Sequence, residues 1–326
     1  MMTTLSIADL FKIDEKYFRT DWTALTPKFV TVDLSTIPQV KETSVAIGIE
    51  VEMEYWRDIG HGLYESLWGF KGDGSLRNNG MEAISIPVKG EWIRFALKTL
   101  FDKISQVKFT PRTSIHIHLD VRKLTQKQLT AFILVYLSVE SLLYKFVGKD
   151  RDESIYCVPL YTTTLVNSLV DLLNKAIVRN DYSNNRYAGL NLDSLRKFGT
   201  LEFRQLHGTH DTTKIMNWIN LIFKIYQFSL RGDFTSLLKK ITELNTNSFY
   251  IAYVNEVFED MVGVLDLLDI KFDLEKGVKA VKQSIISNKF ATELRSEIAK
   301  QSPAGQRYVL LNKGVYVAQY FSERTT

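Results

Sequence analysis

The chain has 326 residues, a hydrophobic content of 45% and a formal net charge of +4. This length favours one large core with appended segments, and the composition is that of an ordinary globular protein. The small positive charge permits anionic ligands but gives no reason to expect a nucleic-acid-binding protein. The single cysteine, Cys157, excludes an internal disulfide and favours a reducing compartment, so we predict a cytoplasmic protein.

The most membrane-like run of the chain spans residues 129–147. Glu140 and Lys145 interrupt it, so a buried core helix is predicted rather than a membrane span. We also expect no signal peptide, because charged residues appear early within residues 1–18.

Hydrophobic periodicity and turn signals predict the secondary structure in chain order. The predicted elements are a short helix capped by Ser6, an extended arm to residue 43, a strand at 44–56, two short strands within 66–88, a helix at 90–106, a strand at 114–121, helices at 125–146 and 161–180, a strand hairpin around 196–199, a helix at 211–230 capped by Asp211, mainly helix to residue 301, and strand character at 307–321. Because several strands alternate polar and apolar residues, we predict an α+β fold with an antiparallel sheet.

Three of the predicted strands place ionisable side chains on one face and apolar side chains on the other, since side chains alternate along a strand. A solvated face is the simplest interpretation of any one strand, but imidazole pairs and a Glu-x-Arg motif are not typical of a wet sheet face. Converging carboxylates and imidazoles would repel or titrate abnormally without cations, and such ligand sets suit Mg²⁺ or Mn²⁺. The shared faces are Glu50, Glu52 and Glu54; His116, His118 and Asp120; and Glu202 with Arg204.

Seven short motifs in this order resemble the amidoligase family. That family belongs to the superfamily of carboxylate–amine ligases built on the glutamine synthetase fold, which also includes the glutamate–cysteine ligases. The resemblance extends over about residues 44–230. Its motifs are GIEVE at 48–52, DGS at 73–75, EAISIP at 82–87, SIHIH at 114–118, NRYAGLNL at 185–192, GTLEFR at 199–204 and HGT at 207–209.

The resemblance implies a strongly curved antiparallel sheet with helices on its convex side and the active site on its concave face. It divides the chain into an extension at 1–43, a catalytic core at 44–230 and a mainly helical segment at 231–326 that shapes the acceptor pocket. The implied activity is formation of an amide bond from a carboxylate and an amine, with ATP and two or more Mg²⁺ or Mn²⁺ ions, through an acyl phosphate. Small-molecule or peptide substrates are expected, and a homo-oligomer is left open.

The resemblance also assigns roles to particular residues. Glu50, His116 and Glu202 resemble the ligands of an inner metal, and Glu52, Asp73 and Glu82 resemble those of an outer metal, although many relatives in the wider superfamily have glutamate where Asp73 stands. Residues that resemble the groups contacting phosphate or the substrate carboxylate are His118, Arg186 and Arg204, and Lys71 is predicted to join them in binding nucleotide. Glu54 has no family role and is expected at the rim of the site.

Two other functions are compatible with parts of this pattern. A metal-dependent hydrolase would use the H-x-H motif, but the five histidines of the chain are few for a zinc hydrolase. A non-catalytic protein on the same fold would not need nearly every charged element to be retained. A P-loop enzyme is excluded because no G-x-x-x-x-G-K motif is present.

Overall fold

A single antiparallel sheet of six strands organises the computed structural model, which describes residues 5–13, 32–163 and 187–286. The spatial order of the strands is β2-β3-β1-β4-β6-β5. The strands are β1 (Ile47–Met53), β2 (Trp68–Gly72), β3 (Met81–Ser85), β4 (Ser114–Asp120), β5 (Leu190–Asn191) and β6 (Thr200–His207). The predicted combination of helices with one antiparallel sheet is therefore confirmed, while the glutamine synthetase-like curvature stays a prediction.

Eight α-helices accompany the sheet in the described residues. They are α1 (Ile7–Phe11), α2 (Glu91–Phe101), α3 (Gln126–Val147), α4 (Ser194–Phe198), α5 (Thr212–Ser229), α6 (Phe234–Thr242), α7 (Asn247–Phe258) and α8 (Ile270–Ile286). The predicted caps are confirmed: Ser6 accepts the N–H of Asp9, and Asp211 accepts the N–H of Lys214. Each cap satisfies a backbone donor that the first helical turn leaves without a partner.

The apolar face of the sheet forms the core together with the long helices. Along β1, Ile47, Ile49 and Val51 are almost completely buried, whereas the intervening positions face the other side. Phe203 of β6 packs edge-on against Phe132 of α3, and α3 and α5 cover this side of the sheet. The alternation therefore leaves the polar side chains of the strands on the face opposite these helices.

Helix α3 corresponds to the apolar run of residues 129–147. Among the described residues it alone is long and apolar enough to cross a membrane, but 83% of its most apolar window is buried inside the protein. Its start is fixed by a reciprocal capping box between Thr125 and Gln128. The predicted buried core helix is confirmed.

The connection between β5 and β6 differs from the predicted hairpin. The two strands do pair antiparallel, but β5 has only two residues, and the helix α4 forms where the first predicted strand would end. Leu195 is buried in this helix, and Gly199 ends it with a left-handed φ of 66°. The predictions at 161–180 and 307–321 fall mainly or wholly outside the described residues, and the division into three segments stays a prediction.

Candidate metal centre

Glu50 lies at the centre of the polar face, between the two histidines of β4. Its Oε2 is 3.2 Å from His116 Nδ1, and its Oε1 is 3.2 Å from His118 Nε2. The strand register produces this arrangement, because Glu50 is directly opposite His116 and the residue opposite His118 is Gly48, which has no side chain. Burial acts to raise the pKa of Glu50, but the hydrogen bond with His116 and the charges of the two imidazoles hold that pKa well below its usual range.

Glu202 approaches the same histidines from β6. Its Oε1 is 3.5 Å from His116 Nδ1 and is ion-paired with Arg204, while its Oε2 accepts a 2.7 Å hydrogen bond from Asn191. Burial acts to raise the pKa of Glu202, but the charges of His116 and Arg204 more than offset it, so the pKa is lowered. Two ionised carboxylates therefore lie against the pair of imidazoles.

The side chains present fit a divalent cation. His118 Nε2 is buried and makes no hydrogen bond, although it lies close to Glu50, while His118 Nδ1 is 3.2 Å from Thr200 Oγ1. A buried imidazole nitrogen without a hydrogen bond, held beside carboxylates while its other nitrogen is oriented by a hydroxyl, is the usual setting of a metal-ligating histidine. Glu50, His118 and Glu202 bring ligand atoms within 4.8 Å of one another.

A second potential ligand group shares Glu50 with the first and adds Glu82 and His116, again within 4.8 Å. Glu82 is buried on β3, and Lys71 Nζ lies 2.8 Å from its Oε2. Burial and the neighbouring Glu50 carboxylate raise the pKa of Glu82 to about 7, although Lys71 opposes this. Lys71, predicted to bind nucleotide, thus neutralises an acidic residue of the cluster.

The predicted division of ligands between two metals remains a prediction, and the described geometry groups the residues differently. Glu52 lies 3.8 Å from His116 Nε2, but its Oε2 accepts hydrogen bonds from the backbone N–H and the hydroxyl of Ser114, at 2.9 and 2.6 Å. Asp73 accepts the N–H of Ser75 at 2.7 Å, as in an ordinary Asx turn. Neither belongs to a potential ligand group among the described residues.

Glu54 was expected at the rim, and this expectation is wrong. The residue is 2% exposed, and its carboxylate accepts the backbone N–H of Arg77 at 2.8 Å and the Asn78 side-chain amide at 3.3 Å. Asn78 has a positive φ of 51°, which asparagine tolerates better than most residues, and the buried carboxylate bonds to this turn. Glu54 therefore stabilises the β2–β3 turn by accepting hydrogen bonds from it.

The predicted phosphate-binding arginines are only partly described. Arg204 is tied to Glu202 through Nη1 and donates from Nε to the Tyr156 carbonyl oxygen at 3.3 Å. This places its guanidinium beside the carboxylates, where the remaining N–H donors suit an anion. Arg186 lies outside the described residues.

The sequence did not single out three neutral residues that orient the charged ones. Asn191 donates a hydrogen bond to Glu202, and the Thr200 hydroxyl contacts His118 Nδ1. The Ser114 hydroxyl donates to Glu52 and lies 2.9 Å from His116 Nε2. Ser114 and Thr200 belong to the SIHIH and GTLEFR motifs. Each is an even number of residues from the charged side chains of its own strand, so alternation could have placed both on the polar face. Asn191 required knowledge of the β5–β6 pairing.

A further buried acid, Glu140 on α3, lies on the apolar side of the sheet, away from the cluster. It is completely buried and accepts hydrogen bonds from the Tyr136 hydroxyl at 2.8 Å and from the backbone N–H groups of Leu160 and Tyr161 at 2.7 and 3.0 Å. Burial raises the pKa of Glu140 to about 7, although these three hydrogen bonds oppose the rise.

Glu140→Gln is expected to change how stability depends on pH. A carboxyl whose pKa is raised in the folded state contributes stability below its unfolded pKa, and this contribution is lost as pH rises through 7. The wild type should therefore lose up to about 3 kcal/mol relative to the variant between about pH 4.5 and 7, in addition to a pH-independent cost of one unsatisfied N–H in the variant. Urea unfolding between pH 4.5 and 8 measures this. The exposed Glu243→Gln is the control, and a wild-type-to-variant difference that is constant across pH would contradict the expectation.

The structure thus defines a mixed α/β protein whose antiparallel sheet carries a cluster of carboxylates and imidazoles on one face. A family model described as "Putative amidoligase enzyme" matches residues 91–226. The match confirms the resemblance to the amidoligase family over these residues and supports a ligase-type enzyme. The matched range contains His116, His118, Arg186, Glu202 and Arg204 but not the acidic residues of β1 and β3. No curated protein matched the chain.

Proposed function

We propose that this protein is an ATP-dependent ligase that joins a carboxylate to an amine, with two or more Mg²⁺ or Mn²⁺ ions and an acyl phosphate intermediate. The proposal is carried by two potential ligand groups that meet at Glu50, in a chain whose residues 91–226 match the amidoligase family model. Carboxylate oxygens with a few imidazoles are a ligand set that hard divalent cations accept.

The residues that would hold the cations are those of the two groups, with Glu52 beside them. One group consists of Glu50, His118 and Glu202, and the other of Glu50, Glu82 and His116. When bound, such cations neutralise the triphosphate and stabilise the charge that develops during phosphoryl transfer.

The chain's own residues would bind and orient the reactants. In the proposed reaction a carboxylate oxygen attacks the γ-phosphorus of ATP and ADP departs; the amine nitrogen then attacks the acyl carbon, releases phosphate and loses a proton. Arg204 suits the transferred phosphoryl group or the carboxylate, because its fork can donate paired hydrogen bonds. Its ion pair with Glu202 and its bond to the Tyr156 carbonyl fix the guanidinium beside the cluster. The substrates themselves are expected to be small molecules or peptides.

Hydroxylamine trapping tests this proposal without knowledge of the natural amine. The purified protein is incubated with ATP, Mg²⁺ and hydroxylamine against a panel of carboxylic acids, and hydroxamate and ADP are both measured. We expect at least one acid to give equal amounts of the two products. Glu202→Gln should lose this activity, because it removes the negative charge of a potential metal ligand that is also the ion-pair partner of Arg204.

Two further measurements distinguish the alternatives. Hydroxamate formed from esters or amides without ADP would indicate a hydrolase acting by acyl transfer. Failure to bind ATP at millimolar Mg²⁺, by isothermal titration, would indicate a non-catalytic protein. Either result would overturn the proposed ligase activity.

A further inference from the structure

A cavity of about 240 Å³ lies at the end of the sheet where β1 begins and β4 ends. Three basic residues, Lys89, Arg122 and Lys123, line it together with Asp120 and Tyr226. Pro87 of the EAISIP motif also lines the cavity, but none of the residues predicted to bind metal or nucleotide does. Its lining is predominantly positive, which favours an anionic ligand.

The two lysines provide the uncompensated charge. Arg122 donates from Nε and Nη2 to the two oxygens of Asp120, at 2.9 and 2.7 Å, so this pair is close to neutral. Lys89 and Lys123 are exposed, and neither forms an ion pair with another described residue. An anion in the cavity would therefore meet two lysine ammonium groups.

Tyr226 adds a neutral donor to the cavity wall. Its hydroxyl makes no hydrogen bond with another described residue, and burial, helped by Glu42 and Asp120, raises its pKa to about 12. The phenol therefore stays protonated and able to donate. Glu42, the nearby acid, is already bound to the backbone N–H and hydroxyl of Ser44, at 2.7 Å each.

The sheet register connects this cavity to the metal centre. Asp120 follows His118 by two residues on the same face of β4, a separation of about 7 Å along a strand. On the neighbouring strand, the position beside His118 is Gly48, where a Cβ atom would make only ordinary contact with His118 Cβ at 3.5 Å. No β1 side chain at this position therefore separates the Glu50–His118 cluster from the end of the sheet, around which the cavity extends to Tyr226 of α5 on the helix-covered side.

We propose that the cavity binds the second carboxylate of an elongated dianionic substrate whose reactive carboxylate lies at the Glu50–His118 cluster. The position of the reactive carboxylate rests on the proposed ligase function. The binding of the second carboxylate rests on the cavity alone. The strand spacing places the two ends roughly 7 to 13 Å apart, which corresponds to one or two ladder steps. That span excludes short dicarboxylates and fits a molecule about the size of a dipeptide.

Binding to the cavity is tested first in metal-free protein, independently of turnover. Suberate, an eight-carbon dicarboxylate, is titrated while the ring NMR signals of Tyr226 are followed, with Tyr226→Phe used to assign them. We expect saturable shifts, and we expect the Lys89→Gln/Lys123→Gln variant to bind about tenfold more weakly or worse. Lys271→Gln/Lys279→Gln on α8 removes the same charge elsewhere and should leave binding unchanged. Absence of saturable shifts in wild type, or equal loss in both double variants, would overturn the inference.

Chain length is tested next in the hydroxamate reaction. Dicarboxylates of four to ten carbons are compared with monocarboxylates of equal length, and KM is expected to fall for the longer dicarboxylates only. The Lys89→Gln/Lys123→Gln variant should raise their KM about tenfold, with kcat and the KM for ATP unchanged. Cavity binding without hydroxamate from any acid would show that the proposed function fails while the anion site stands. Turnover with no chain-length preference would overturn the inference while the ligase stands.

Discussion

Replacing Glu50 by glutamine is expected to abolish divalent-cation binding and reduce turnover by more than about 100-fold. Glu50 belongs to both potential ligand groups, and even residues that only orient a metal ligand typically change affinity by about 10–100-fold. The substitution keeps the size of the side chain but removes the charge between His116 and His118. Mn²⁺ binding followed by electron paramagnetic resonance, together with hydroxamate formation, measures the effect.

Glu54→Gln is the matched control, because Glu54 lies on the same face of the chain four residues later. It is more deeply buried than Glu50 and loses the same charge, but its partners are Arg77 N–H and Asn78 rather than the histidines. We expect Mn²⁺ affinity and turnover within about threefold of wild type, with a stability loss of about 1 kcal/mol from the weakened turn contacts. Equal losses of cation binding in the two variants would show that Glu50 has no special position in the site.

The contrast between Glu50 and Glu54 also shows which features of the site can be predicted from the sequence and which cannot. A period of two identifies which residues of β1 share a face, and the motifs indicate which of them resemble metal ligands. The pattern contains no information on the partner of each carboxylate, because the partners belong to β3, β4 and the β2–β3 turn. Burial of Glu54 follows from the turn that folds over it, and this could not be predicted from alternation along one strand.

Strand pairing explains most of the remaining differences. Between β4 and β6 the register shifts after Ile115, where Leu206 is its partner, to Ile117, whose partner is Phe203. Alternation along β6 already predicts that Glu202 and Arg204 share a face, but nothing in the local sequence specifies the bulge, which sets the partners of the β6 residues that follow Phe203. Helix caps such as Asp211 were predictable because they depend on residues only three positions away.

Gly277→Val is expected to destabilise the protein by about 3 kcal/mol or more. A Cβ atom on Gly277 of α8 would overlap the carbonyl oxygen of Leu137 and lie 2.9 Å from that of Ser138, both on α3. Since these neighbours are backbone atoms, relief requires the two helices to separate, and overpacking of this kind costs about 1–3 kcal/mol or more. The gain from replacing glycine in a helix is only a few tenths of a kcal/mol for valine.

Thermal and urea unfolding measure this loss, with Gly263→Val as the control because a Cβ atom there meets no atom within 4 Å. Hydrogen exchange should locate the effect at the contact between α8 and α3. Below its unfolding temperature, Gly277→Val should still bind Mn²⁺, because the carboxylates and imidazoles lie on the opposite face of the sheet from α3. Unfolding curves that coincide for the two valine variants would show that α8 does not pack backbone to backbone against α3. Loss of Mn²⁺ binding in folded Gly277→Val would instead show that the C-terminal helices help to hold the metal centre together.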